Sequence, residues 1–126
     1  SMNALDMART AYNRPEAPSR TPRAVEHDLF SRITRRLGEA WAVRKQDFPA
    51  LAAAVHDNNR LWSTLAADVA DPGNTLSPDL RAQLFYLHEF SQTHGARVLA
   101  GEASAEILIE INTAIMRGLR GERRQG

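Results

Sequence analysis

Residues 47–74, DFPALAAAVHDNNRLWSTLAADVADPGN, settle the class of fold. Phe48, Leu51, Val55, Asn58, Trp62, Leu65 and Val69 follow one another in steps of three and four. An α-helix turns once every ~3.6 residues, so such steps place all seven side chains on one stripe. A half-buried strand would need steps of two. Asp47 offers a carboxylate to the free amides of the first turn, and Asp71-Pro72-Gly73-Asn74 is a cluster that ends helices. The stripe covers most of three heptads, and its one polar member is Asn58. A buried asparagine must find hydrogen-bond partners, so it fixes register and neighbour; a cross-helix bond and acceptance of a partner helix are both open readings.

The same signals recur on either side. Residues 3–12 read as a short helix capped by Asn3, with Leu5, Ala8 and Tyr12 on one face. So short a helix is marginal alone and needs a surface to lie on. Pro15, Pro18 and Pro22 then mark a linker, because proline lacks an amide donor and disfavours helix in the residue before it. Thr21-Pro22 starts a helix expected to reach about Lys45, with Leu29, Ile33, Leu37 and Trp41 on its stripe and Val25, Phe30 and Ala40 widening it. Ser77-Pro78-Asp79 starts another, with Leu80, Leu84, Leu87, Ser91, His94 and Val98 on one face. Phe85, Phe90 and Leu99 extend its apolar surface, which predicts the most central position. Gly101 is a natural stop. Ser104 caps a last helix, whose buried face should hold Leu108, Ile111, Ile115 and Leu119. No alternating run flanked by hairpin turns is present. The expected fold is all-α: a small bundle of four main helices plus a short N-terminal helix. It forms one domain, with residues 1–20 as short helix and linker, 21–120 as the bundle and 121–126 as a frayed tail.

Composition narrows the function. A chain of 126 residues with 43% hydrophobic and 25% charged residues can bury one core. Its net charge is +1, without the strong basic excess of a dedicated nucleic-acid module. Fifteen of its sixteen cations are arginine, Lys45 being the exception. Arginine pairs with carboxylates between helices as readily as with phosphates. The lack of cysteine removes disulfides, thiolate chemistry and Cys-based zinc sites, and fits the reducing cytoplasm. The longest apolar run, Ala50 to Val55, falls far below the ~18 residues of a membrane span. No secretion leader is expected, and Ser1 before Met2 reads as a remnant of tag removal.

Motifs for chemistry are weak. His88-Glu89 invites a zinc-peptidase reading, but His94 lies six residues from His88. Six residues turn a helix by ~600°, which leaves the rings on faces about 120° apart, whereas metal ligands on one face need a spacing of four. The plain reading has His88 exposed and His94 half-buried on the packing face. Asp68 and Asp71 lie near a helix C-terminus, where carboxylates are disfavoured, and pairing of Asp68 with an arginine across the bundle is the simpler account. There is no nucleophile elbow and no glycine-rich phosphate loop, so no cofactor and no catalytic residue are expected. Arg117, Arg120, Arg123 and Arg124 around Gly118 and Gly121 suit RNA phosphate, but they also suit the negative end of a helix, and no aromatic stacking residues accompany them.

Three stretches carry a family resemblance. They are Arg60-Leu61-Trp62-Ser63-Thr64-Leu65-Ala66-Ala67-Asp68, then Asn74-Thr75-Leu76-Ser77-Pro78-Asp79-Leu80-Arg81-Ala82, then Leu108-Ile109-Glu110-Ile111-Asn112-Thr113-Ala114-Ile115-Met116-Arg117-Gly118-Leu119. With Ala11-Tyr12 and the Arg23 to Phe30 entry, they span almost the whole chain. The sequence resembles the FlaF family, the flagellar biosynthesis regulators of alphaproteobacteria. The resemblance implies a cytoplasmic, non-enzymatic helical protein that binds flagellin as a chaperone or secretion factor, beside FlbT, a regulator of flagellin mRNA translation. It implies no catalytic residues. The alternative it leaves is an RNA-associated regulator of flagellin mRNA acting with FlbT, although RNA is not the expected direct ligand.

A mechanism follows from helix chemistry. Flagellin segments that become helical on assembly expose apolar faces, and an aliphatic groove can cover such a face through anchors at i, i+3, i+4 and i+7. The expected partner-binding residues are Leu5, Tyr12, Asn58, Trp62, Leu65, Arg81 and Asn112. The N-terminal helix is expected to lie in a groove lined partly by Trp62 and Leu65, either as a detachable latch or as a permanent fifth helix.

Overall fold

The computed structural model describes the backbone of residues 3–12 and 27–125, and the side chains of 3–9 and 27–118. It contains five helices and, among the described residues, no strand: α1 (Ala4–Tyr12), α2 (His27–Ala42), α3 (Phe48–Ala70), α4 (Pro78–Leu99) and α5 (Glu106–Gln125). The architecture is an all-α bundle of four long helices and one short one.

Local chemistry starts and stops these helices much as expected. The Asp6 amide donates to Asn3 Oδ1 at 2.8 Å, opening α1. Asp47 Oδ1 accepts from the Ala50 amide at 3.1 Å, and Ser77 Oγ accepts from the Leu80 amide at 3.2 Å. Each satisfies one donor that a helix N-terminus leaves without a partner. After α3, Asp71 Oδ1 accepts from the Gly73 amide at 2.7 Å, Asn74 Oδ1 from the Leu76 amide at 2.9 Å, and Asn74 Nδ2 donates to the Asp68 carbonyl at 3.2 Å. These local bonds hold the turn while Leu76 plugs into the core. Gly101 adopts φ +77°, the left-handed conformation that suits glycine after a helix. Ser104 Oγ accepts from the Glu106 amide at 3.0 Å and donates to its carboxylate at 3.1 Å, so the cap spans two residues.

Several expectations need correction. The described part of α2 ends at Ala42, short of Lys45, and its start at Thr21 lies outside the described residues. The α2 chain turns off where the Arg44 guanidinium caps the Trp41 carbonyl at 2.9 Å and stacks 3.9 Å over the indole. Its buried face is Phe30, Ile33, Thr34, Leu37 and Ala40, with Leu29 and Trp41 half-exposed, so the stripe is rotated from the expected one. Phe30, fully buried, is the largest side chain on that face. Helix α5 continues to Gln125 in place of a frayed tail. Phe48, first on the α3 stripe, is 50% exposed, because α3 begins beyond the end of the packed core. Helix α4 is not the most enclosed: Phe85 and Tyr86 face solvent, and Tyr86, Phe90 and His94 stack along its outer side at 6.4 and 5.3 Å.

The helices close into a ring. Helix α2 packs on α3 and α5, α3 on α4, and α1 lies between α4 and α5, which touch each other little. One core segment joins Phe30, Trp62, Leu65, Leu80, Leu84, Leu87, Ile111 and Ile115 with Ala4 and Ala8 of α1. A second segment at the other end joins Leu37, Leu51, Val55, Val98 and Leu108. Each large side chain so buried stabilises the fold by roughly 1.5–3 kcal/mol relative to exposure.

Candidate functional site

The most structured polar feature lies inside the first core segment. Asn112 of α5 is fully buried and makes three hydrogen bonds. Its Oδ1 accepts from Trp62 Nε1 at 3.0 Å. Its Nδ2 donates to Asn58 Oδ1 at 2.8 Å and to Thr34 Oγ1 at 3.1 Å. One amide therefore ties α5 to both α2 and α3. Trp62 is oriented a second time by the edge of its contact with Phe30, at 6.0 Å and 83° between planes. Asn58 Nδ2 is buried with no hydrogen-bond partner among the described residues, as is Ser91 Oγ.

Four of the expected partner-contacting residues, Asn58, Trp62, Leu65 and Asn112, are 0% exposed. They are brought together, but facing inward, where their polar atoms bond one another. A partner reaches them only if the bundle opens. Leu5 is half-buried against the same core. Arg81 is half-buried on α4, and its Nε has no hydrogen-bond partner among the described residues. The side chain of Tyr12 lies outside the described residues.

Helix α1 is seated between α4 and α5. Its backbone packs on α4 and α5 and not on α3, while Trp62 and Leu65 belong to the same core segment as its Ala4 and Ala8. Its inward residues are Ala4 and Ala8, with Leu5 and Met7 at the flanks. Alanines four apart let the backbone approach α4 and α5 closely, a seat that leucine would hold further away.

Other candidate chemistry resolves into structural bonds. His88 is half-buried, contrary to the exposed position expected, with Nε2 3.3 Å from Ser63 Oγ. His94 Nε2 lies 2.8 Å from the Ser104 carbonyl, which can only accept, so that nitrogen carries the proton. The two rings serve different partners. Asp68 makes no ion pair among the described residues; its carbonyl caps the turn instead. No group of three or more His, Asp or Glu gathers among the described residues, and no described helix is long and apolar enough to cross a membrane. The side chains of Arg120, Arg123 and Arg124 lie outside the described residues.

Two features, one on the surface and one buried, are not apparent from the sequence. Arg32 and Arg36 of α2 face Arg60 of α3 around a hollow of about 280 Å³, with Asp57 as the one acid on its rim and Leu29, Ile33 and Leu61 as its floor. The spacing of Arg32 and Arg36 was visible, but their meeting with Arg60 depends on the α2–α3 packing angle. Thr34 was also missed. Its place beside Ile33, between Phe30 and Leu37, would have marked it once Phe30 was taken as the centre of the stripe.

No curated protein sequence and no solved structure matches the chain. A family profile does, and over most of its length. With residues 8–119 matched to the profile described as flagellar protein FlaF, the chain belongs to the FlaF family.

Proposed function

We propose that this protein is a cytoplasmic, non-enzymatic flagellin-binding chaperone or secretion factor that shields flagellin helices before export. One observation carries the reading: the fold already holds a short, separate amphipathic helix between two long ones, with Ala8 of that helix 0% exposed. A fold that seats one such helix has the shape and apolar lining to seat another. Membership of a flagellar family makes flagellin the natural partner. Shielding of this kind blocks premature polymerisation and needs no nucleotide.

The test is co-expression with the cognate flagellin followed by size-exclusion chromatography. Co-elution at a fixed ratio is expected. Separate elution at tens of micromolar overturns the reading. A second run with FlbT asks whether it joins the same complex.

The alternative is an RNA-associated regulator of flagellin mRNA acting with FlbT. The Arg32, Arg36 and Arg60 hollow favours it. Phosphate binding weakens steeply with salt through counterion release, whereas helix capture in an apolar groove does not, so a salt titration separates the two.

A further inference from the structure

Helix α1 is nine residues long, shorter than the ~12–15 residues at which an isolated helix becomes even marginally stable in water. Its helical form therefore depends on the seat it occupies. That seat has large walls and a small occupant. Leu80, Leu84 and Leu87 of α4 and Ile111 and Ile115 of α5 are at most 1% exposed with α1 in place. The occupant offers Ala4 and Ala8, flanked by half-buried Leu5 and Met7. Its outer side carries Asp6 and Arg9, 3.7 Å apart and each 53% exposed, so no charge anchors it to the bundle. Because α4 and α5 touch each other little, no other described helix closes the slot between them. Residues 13–26, with Pro15, Pro18 and Pro22, are the one covalent connection of α1 to α2.

We infer that the slot between α4 and α5 is a helix-docking site held by default by the chain's own α1, and that a partner helix of the same kind takes the seat and releases α1. The kind is set by the present occupant: an amphipathic helix with two small residues four apart, aliphatic residues at their flanks and a charged outer face. The inference rests on the helix-shielding reading above and specifies where the shielded helix lies. A tethered occupant competes at a high effective concentration, so it weakens capture of a partner by the fraction of time the slot is filled. Capture is thereby reserved for helices that fit better than α1 does.

The experiment uses the full chain and a fluorescein-labelled synthetic peptide of residues 2–12. Ala8 is 0% exposed, so Ala8→Glu in the protein places a carboxylate against the slot and drives α1 out. The Ala8→Glu protein should bind the peptide at least tenfold more tightly than the native protein, and a peptide bearing the same change should not bind. A folded Ala8→Glu protein that ignores the native peptide overturns the inference. Hydrogen exchange on the native protein decides the matter even if that variant unfolds. The amides of residues 7–12 should exchange at least a hundredfold faster than those of residues 61–69, and monomeric flagellin should abolish their remaining protection. Equal protection of α1 and α3 overturns the inference. Flagellin that binds while leaving α1 protected also overturns it, yet leaves the chaperone reading intact. Peptide uptake without flagellin binding upholds the slot and overturns the chaperone reading.

Discussion

Replacing Asn112 by alanine removes a single side chain and breaks three cross-helix hydrogen bonds, to Trp62, Asn58 and Thr34. At a net value of about 1 kcal/mol each, the bonds alone account for ~3 kcal/mol. What is left behind matters more. Trp62 and Asn58 are 0% exposed, so neither the indole N–H nor Asn58 Oδ1 finds water. Each buried group stranded in this way costs roughly 1–3 kcal/mol. Asn58 fares worst, because its Nδ2 already lacks a partner and its amide would be unpaired at both ends. The Thr34 hydroxyl can rotate to a backbone carbonyl and should cost little. The expected loss is about 3–5 kcal/mol, a large share of the ~5–15 kcal/mol that stabilises a typical domain. For a chain of this size that lowers Tm by roughly 12–20 °C. Urea unfolding followed by far-ultraviolet circular dichroism measures it directly, and an unchanged m-value would show that the folded and unfolded ensembles are otherwise alike. Trp62→Phe removes the indole donor and also shrinks the buried ring, a packing loss that the double-mutant comparison cancels. Combined with Asn112→Ala it should cost about 1–2 kcal/mol less than the sum of the single changes, because the two residues share one bond. A loss below about 1 kcal/mol for Asn112→Ala, or strict additivity with Trp62→Phe, would refute the reasoning.

Two glycines should respond in opposite directions. A Cβ at Gly95 would stand 3.0 Å from Val55 Cγ1 and 3.3 Å from Asn59 Oδ1, so Gly95→Ala should destabilise by about 1 kcal/mol even after its gain in helix propensity. At Gly38 the nearest atom, Ile109 Cδ1, is 3.8 Å away, so Gly38→Ala should stabilise by roughly 0.5–1 kcal/mol; thermal melts of both variants check the pair. Gly101→Ala should cost about 1 kcal/mol, because φ there is +77° and no contact compensates, again measured by thermal unfolding. Asp47→Ala should cost about 1 kcal/mol by stranding the Ala50 amide, with Asp47→Ser recovering most of it in the same urea assay.

The parts of the fold that could be read from the chain are those decided within a few residues. Asn3, Asp47 and Ser77 each bond an amide three positions ahead, and Asp71, Gly73 and Asn74 close a turn among themselves. Five helices, their breaks and most of their apolar stripes follow from such local chemistry and from periodicity, and the family follows from the same residues taken in order. Which faces meet is another matter. The bonds at Asn112 join positions 50, 54 and 78 residues apart, and although its place beside Ile111 marks it in the sequence, no local rule names the partners it meets. Leu5, Ala8 and Tyr12 form the expected inward face of α1; among the described side chains Ala8 is indeed buried, but it is Ala4 that shares the inward side with it, while Leu5 stands half-buried at the flank. Alanine is weakly apolar and suits either face of a helix, so its place is set by the walls it meets. Those walls exist only after the long helices have packed.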